Sequence, residues 1–274
     1  MVSADHVNNE YSIDVLVHNR YHVGYTWNDE QEGLVTIEVE EFPADIIQNF
    51  LPDGTVITVK QDGTGDFTDV QTAIDSLDGK YSNGVVTIEI GEGTFSRDKR
   101  IFFAPICNFN KLIIKGAGIG KTILKCTNGN ADESTISLKG AYDNLYIENL
   151  SIDGTNKISF GIDFDATNIR LTITNVEIKN SSSAIYVRPS CDLLVGGGNL
   201  NIINCTKAID NSGGNVYLRS CTLNLLSVTT ALSVDNGGII RIRSAVRKFT
   251  SVSNQTSQSI GTANTSGYIA GNWS

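Results

Sequence analysis

Four carboxylates, one arginine and three tyrosines are the side chains of this sequence best suited to chemistry on a bound molecule. Asp163, Asp165, Glu177 and Asp210 recur through the middle of the chain, Arg188 stands in the same stretch before Pro189, and Tyr146, Tyr186 and Tyr217 are spread across it. Inverting hydrolysis of a glycosidic bond takes two carboxyl groups roughly 6.5 to 9.5 Å apart, one to protonate the leaving oxygen and one to activate water. The sequence offers four acids for that work and singles out no pair. Charged side chains normally stay in water, so Asp163 and Asp165 are expected as solvated strand residues. Outward tyrosines have another use. Each ring offers an apolar face and a hydroxyl, which makes Tyr146, Tyr186 and Tyr217 candidate glycan contacts.

Metal and nucleotide chemistry find less support. His18 and His22 are four residues apart and would share a strand face, but no acid or cysteine completes a ligand set, so surface histidines are expected and no metal. Gly116 to Thr122 is glycine-rich, yet Lys115 occupies the first glycine of a phosphate loop and Lys121 the last glycine of a dinucleotide fingerprint. Cys107, Cys126, Cys191, Cys205 and Cys221 are odd in number and lack CxxC spacing, which predicts small buried thiols and not a disulfide framework.

The elements that must position these residues repeat. Asn149-Leu150-Ser151-Ile152 returns as Asn175-Val176-Glu177-Ile178, Asn199-Leu200-Asn201-Ile202 and Thr222-Leu223-Asn224-Leu225, at steps of 26, 24 and 23 residues. A strand sends alternate side chains to opposite faces, so the apolar members line one interior and Ser151, Glu177, Asn201 and Asn224 face out. A second alternating segment precedes each quartet: Leu145/Ile147, Ile169/Leu171/Ile173, Leu193/Val195 and Val216/Leu218, with Ile240/Ile242 opening a further coil. Asp143, Asn168, Asp192, Gly213-Gly214 and Gly237-Gly238 lie between them as corner residues. One coil cannot bury its own face, but stacked coils can. The pattern predicts an all-β fold, a right-handed single-stranded parallel β-helix, with Asn149, Asn175 and Asn199 as an amide ladder.

Composition agrees. Charged residues are 19% of the 274 and glycine numbers 26, while the net charge of −9 disfavours a nucleic-acid partner. No stretch approaches the roughly 20 apolar residues of a membrane helix, and the first residues carry neither a basic nor an apolar segment, so neither membrane insertion nor a secretion signal is expected. Synthesis in the cytoplasm is therefore expected.

Ahead of the repeats, Tyr21–Trp27 and Leu34–Val39 read as a hairpin in a small β unit over residues 1–52, assigned to attachment or capping. Thr68 and Gln71 have the spacing of a capping box, and Val70, Ala73, Ile74 and Leu77 form one stripe of a short helix that would plug the solenoid. Residues 53–249 are then the β-helix and 250–274 an uncharged tail.

The run Val59-Lys60-Gln61-Asp62-Gly63-Thr64-Gly65-Asp66-Phe67-Thr68-Asp69-Val70-Gln71-Thr72-Ala73-Ile74-Asp75 resembles the opening of the pectate-lyase-like β-helix superfamily, pectin methylesterases especially. Val85–Phe95 and Leu112–Leu124 continue the resemblance, which spans about residues 57–210. Such motifs are turns and core strands, so they speak to fold more than to activity. The esterases' Gly-Tyr-Gln-Asp-Thr-Leu-Tyr segment falls on residues 180–186, with Ser183 at the acid. Their nucleophilic aspartate falls on Ala208, or on Asp210 if the alignment slides by two. At most one carboxylate remains where two are needed, so esterase chemistry is not expected. Pectate lyases resemble the chain through fold. They imply Arg188 as proton acceptor and Asp163 and Asp165 as calcium ligands, although calcium wants six to eight oxygens. Calcium is expected only with that alternative, and otherwise no cofactor.

Some phage tailspikes resemble this architecture too. Those tailspikes cleave surface polysaccharides with acids spread over several coils or between subunits. Here the incomplete acid pair, the missing secretion signal, the distinct N-terminal unit and the uncharged tail lead instead to an expected structural or receptor-facing component of a phage or phage-like particle, such as a tail fibre, baseplate or spike protein, without catalysis. Its expected partners are other particle proteins, met through residues 1–52, and cell-surface polysaccharide. A polysaccharide lyase or glycoside hydrolase, and a non-catalytic carbohydrate-binding protein, are the alternatives. The tail lacks charge and coil spacing, so its ordering is expected to come from neighbouring chains in a homotrimer.

Overall fold

Alternating apolar residues at a fixed step become parallel strands stacked coil on coil. The computed structural model describes residues 4–7, 10–13, 15–17, 21–27, 35–41, 49–103, 108–127, 134–139, 144–165, 170–258 and 268–273. It falls into two compact units, Met1–Phe50 and Leu51–Ser274. The first is an antiparallel sheet of β1 (Ala4–Val7), β2 (Glu10–Ile13), β3 (Val15–Val17), β4 (Tyr21–Trp27) and β5 (Val35–Glu41). β4 and β5 pair from Tyr21↔Glu41 to Trp27↔Val35, which is the expected hairpin. The expected His18–His22 face rests on His18, which lies outside the described residues.

The second unit is a parallel β-helix. Its elements are β6 (Thr55–Val59), α1 (Val70–Asp75), β7 (Tyr81–Ile90), β8 (Gly93–Arg97), β9 (Ile101–Phe103), β10 (Asn108–Gly116), β11 (Thr122–Cys126), β12 (Ser134–Leu138), β13 (Asn144–Phe164), β14 (Arg170–Val187) and β15 (Asp192–Ile203). β16 (Lys207–Ser212), β17 (Asn215–Leu226), β18 (Thr230–Asp235), β19 (Ile239–Thr250), β20 (Asn254–Gln258) and β21 (Tyr268–Trp273) complete it. They form three stacks. The first runs β6-β7-β10 and then through the leading parts of β13, β14, β15, β17 and β19 to β21. The second joins β8 and β11 to the quartet segments, with Ile152↔Ile178, Ile178↔Ile202 and Ile202↔Leu225 in register. The third runs from β9 and β12 through the ends of β13 and β14 to β16, β18 and β20.

Inside, Leu145, Ile147, Leu150, Ile152, Ile162 and Phe164 of a single coil are all fully buried. Each is worth roughly 1.5–3 kcal/mol of transfer free energy, so a coil contributes only when its neighbours close over it. Corners need a left-handed residue. Asn149 (φ 57°), Asn175 (φ 52°) and Ser220 (φ 50°) supply it at the first corner, while Gly197 (φ 67°) does so in the intervening coil.

That substitution breaks the expected ladder. Asn175 Nδ2 donates to Asn149 Oδ1 at 3.3 Å, but Asn199 contributes only its backbone N–H, to Asn175 Oδ1 at 3.1 Å. A longer side-chain ladder stands at the next corner, where Asn204 donates to Asn180 at 2.9 Å and Asn180 to Asp153 at 2.8 Å. Ser151 departs from expectation as well: it points out of the coil yet is fully buried, because Gly120 N–H donates to its Oγ at 2.9 Å and that hydroxyl reaches Glu177 Oε1 at 3.3 Å.

α1 puts Val70, Ala73 and Ile74 into the core beside β6, the terminal strand of the first stack. Its cap differs from the expected Thr68/Gln71 box. Asp69 is the N-cap and accepts from Thr72 N–H at 3.0 Å and from Arg97 Nη1 at 2.6 Å. Gln71 is thereby free to bind β9, its amide accepting from Phe102 N–H at 2.7 Å and donating to Phe102 O at 2.8 Å. The uncharged tail also has a place in the solenoid: β20 pairs with β18 and β21 with β19, including Ile240↔Ile269.

Cys126, Cys191, Cys205 and Cys221 are buried thiols in no disulfide, as expected, and Cys107 lies outside the described residues. Burial pushes the Cys221 thiol up to about 11. Only the thiolate is nucleophilic, so Cys221 is expected to resist iodoacetamide at pH 8 in the native protein and to react fully once unfolded. Peptide mass spectrometry of the two samples reads the difference.

Candidate functional site

The third stack has an unusual rhythm. Ala184, Ala208 and Ala231 are fully buried, and so are the residues that follow them, Ile185, Ile209 and Leu232. Two successive side chains turn inward at each coil. Small residues are required at the first place: a Cβ on Gly161 would lie 2.5 Å from Ile178 Cγ2 and 2.6 Å from Ala184 O. Two outward columns result. One is Phe160–Ser183–Lys207–Thr230, and the other is Ser137–Asp163–Tyr186–Asp210–Ser233, both in strand register.

These columns gather charge around an aromatic pair. The Tyr186 ring stacks on Phe160 with centroids 4.6 Å apart and planes 15° from parallel. Arg188 lies over the same ring, 5.2 Å from its centroid. Its Nε donates to Asp163 Oδ1 at 2.9 Å and its Nη2 to Asp163 Oδ2 at 3.2 Å, a two-point clamp. Asp165 stands 3.7 Å from Arg188 Nε and 3.5 Å from Lys139 Nζ. On the other side of Tyr186, Lys207 Nζ donates to both oxygens of Asp210 at 2.8 Å, and Ser183 Oγ donates to Asp210 at 3.2 Å.

Asp163 is therefore not the solvated residue expected. Its residue exposure is 4%, because the clamp and the strand neighbours cover it. The Asp163 hydrogen bond raises the Arg188 pKa above its ordinary value, with the Asp163 and Asp165 charges adding to the effect against a partial cost of burial. Arg188 is thus held as a cation and is a poor proton acceptor.

Asp163 and Asp210 flank Tyr186 with their backbones two strand spacings apart, about 9.6 Å, just beyond the range of an inverting pair. Both are already bound to cations. Of the alternatives at the second acid position, Ala208 is fully buried in the core and Asp210 faces out. Ser183 occupies the place of the first acid and serves Asp210 as a donor.

The remaining candidates lie elsewhere. Glu177 is in the second stack. Tyr146 and Tyr217 belong to one column of the first stack, separated by Thr172 and Leu194, about 14 Å. Lys111 Nζ sits 3.9 Å from the Tyr146 ring centre, and Arg241 Nη1 donates to Tyr217 Oη at 2.9 Å. The structure joins Asp163, Asp165, Arg188 and Tyr186 and sets the other two tyrosines apart. Sequence reasoning overlooked Phe160 and Lys207. Their signal was available in the steps of 23 and 24 residues linking Phe160, Ser183, Lys207 and Thr230, the same period as the quartets.

Among the described residues no group of three or more His, Cys, Asp or Glu is placed to hold a metal ion, and Asp163 and Asp165 direct their oxygens to Arg188 and Lys139. No helix among them is long and apolar enough to cross a membrane.

No protein-family model matches the chain, and no curated protein does. Among solved structures it is similar to Escherichia coli YbhC, with 12% identity and a TM-score of 0.41 over 88% of this chain and 75% of that one. It is similar to a pectin methylesterase from carrot at 18% identity and a TM-score of 0.37, covering 71% of this chain and 64% of the enzyme. ORF18 of Geobacillus virus E2 matches at 13% identity and a TM-score of 0.34, over 85% and 67% of the two chains. At such identities and scores no activity or partner passes from those proteins to this one; the parallel β-helix stands on the strand register itself.

Proposed function

We propose that the protein is a receptor-facing β-helix that binds polysaccharide without cleaving it, as a component of a phage or phage-like particle. The observation that carries the binding reading is the third-stack face, where the half-buried Tyr186 is stacked on Phe160 and flanked in register by Asp163 and Asp210. An aromatic face ringed by carboxylates, hydroxyls and cations is suited to sugar rings and their hydroxyl groups. The state of the same groups supports adhesion over catalysis. Lyase chemistry needs Arg188 as a base, but it is a clamped cation, and hydrolysis needs a carboxyl free to exchange a proton, while Asp163 and Asp210 are each committed to a cation. The particle setting rests on the resemblance of the sequence and on the separate β unit of residues 1–50, suited to attachment.

Incubation with bacterial surface polysaccharides and pectins tests this, with binding followed by calorimetry and cleavage by new reducing ends or unsaturated uronates. Saturable binding without cleavage is expected, weakened about tenfold by Tyr186→Ala, a loss of ~1.4 kcal/mol. Tyr146→Ala and Tyr217→Ala should leave it unchanged. Cleavage that disappears in Asp210→Asn would establish a hydrolase or lyase instead.

A further inference from the structure

The last full coil exposes a cluster of basic side chains. Arg241, Arg243, Arg247 and Lys248 are exposed on β19, and Arg219 is exposed beside them on β17. No acidic residue follows Asp235 in the sequence. Arg219 and Arg243 are cross-strand partners in register, an arrangement in which like charges repel.

Earlier coils pair opposite charges at such places. Lys115 stands between Glu89 and Glu148, and Lys179 and Lys125 each stand beside Asp153. Among the described residues Arg219, Arg243 and Lys248 form no ion pair, and Arg241 leans on Tyr217. The exposed face of β17 and β19 is thus cationic, with Arg219 and Arg243 opposed in register.

The complementary charge is in the other unit. Residues 1–50 hold ten Asp and Glu against one Arg, whereas residues 51–274 hold twenty acidic and twenty basic side chains. The whole net charge of −9 therefore belongs to the first 50 residues, and Glu38, Glu40 and Glu41 lie together on β5. We propose that the cationic face of β17 and β19 is a docking surface for the acidic N-terminal unit of a second copy of this chain. Each copy supplies both halves of the contact, so association is heterologous and can continue from copy to copy. Attraction between exposed charges is screened beyond about 8 Å at physiological salt, so the contact is salt-sensitive.

Sedimentation velocity of the full chain over a concentration series, at about 0.05 M and about 0.5 M NaCl, tests the proposal. Concentration-dependent association is expected at low salt, weaker by on the order of tenfold or more at high salt. Arg219→Glu/Arg243→Glu/Lys248→Glu should abolish it, as should Glu38→Lys/Glu40→Lys/Glu41→Lys, with circular dichroism confirming that each variant is folded. An equimolar mixture of the two variants should associate again, because the basic face of one meets the acidic unit of the other. A chain monomeric at every concentration at low salt, association indifferent to salt or to charge reversal, or a mixture that stays monomeric overturns the proposal. Tyr186→Ala should have no effect on this contact, which separates it from saccharide binding.

Discussion

Ile178→Asp is expected to leave the protein unfolded, and Ile202→Asp one coil later should do the same. Both side chains are fully buried and in register, and Ile178 Cγ2 packs into the space that the missing Gly161 side chain leaves open. The polar atoms beside that space are Ala184 O, an acceptor, and Ser181 Oγ, whose proton already goes to Lys179 O at 3.4 Å, so a carboxylate there loses most of its hydration without a cation to compensate. The penalty is several kcal/mol, comparable with the roughly 5–15 kcal/mol that holds a whole domain together. Glu177→Gln, one residue away, is expected to fold normally. Glu177 faces outward, and an amide can replace its carboxylate as acceptor, both for Ser151 Oγ and for the part-buried contact with Lys179 at 3.2 Å, whose cation keeps access to water. Circular dichroism and urea denaturation of the variants check this, and equal stability of both classes would mean that the strand is one residue out of register.

Arg188→Gln is expected to cost more than Asp163→Asn, although each breaks the same ion pair. Among the described residues Arg188 is the one cation within ion-pair reach of Asp163, whose side chain is 5% exposed. Its loss leaves a buried carboxylate uncompensated, a situation worth about 3–5 kcal/mol when both partners are buried. The Arg188 side chain is 36% exposed, so the lower end, about 3 kcal/mol, is the expected value. In Asp163→Asn the guanidinium keeps Asp165 at 3.7 Å and its access to water, and about 1 kcal/mol is expected. The double variant should be less unstable than the sum of the two, since each single change leaves a partner stranded. Urea midpoints at pH 7 measure all three, and two equal, small losses would restore Asp163 to the solvated state that its type alone suggests.

The coils were legible because their chemistry repeats. Leu150, Val176, Leu200 and Leu223 announce the second stack by alternation and period together, and the register confirms each of them. The site was less legible, because the third stack breaks strict alternation. With Gly161-Ile162 and Ala184-Ile185 both turned inward, a period of two misassigns the faces on either side, and Phe160 and Lys207 drop out of view. Burial of Asp163 was hidden for another reason: it depends on Arg188, 25 residues onward, curling back over the preceding coil. The cap of α1 failed similarly, since Asp69 is selected by Arg97 and Gln71 by Phe102, both distant in sequence. Local pattern carries the coil, whereas contacts between coils decide what the surface presents.

The direction of strand pairing has a consequence for how the chain is made. Apart from β8 and β9, which open the second and third stacks, each solenoid strand after β6 finds a partner about one coil nearer the N-terminus, from β7 on β6 to β21 on β19. During synthesis that partner has already left the ribosome when the new strand emerges. β6, α1 and β7 come first, and each later coil adds to a surface already laid down without waiting for any distant segment. Growth of this kind proceeds at the pace of translation and leaves a single unfinished edge exposed at any moment. Because that edge is always the newest coil, a stalled or truncated chain ends in unpaired strand backbone, and quality-control proteases and chaperones would meet it there.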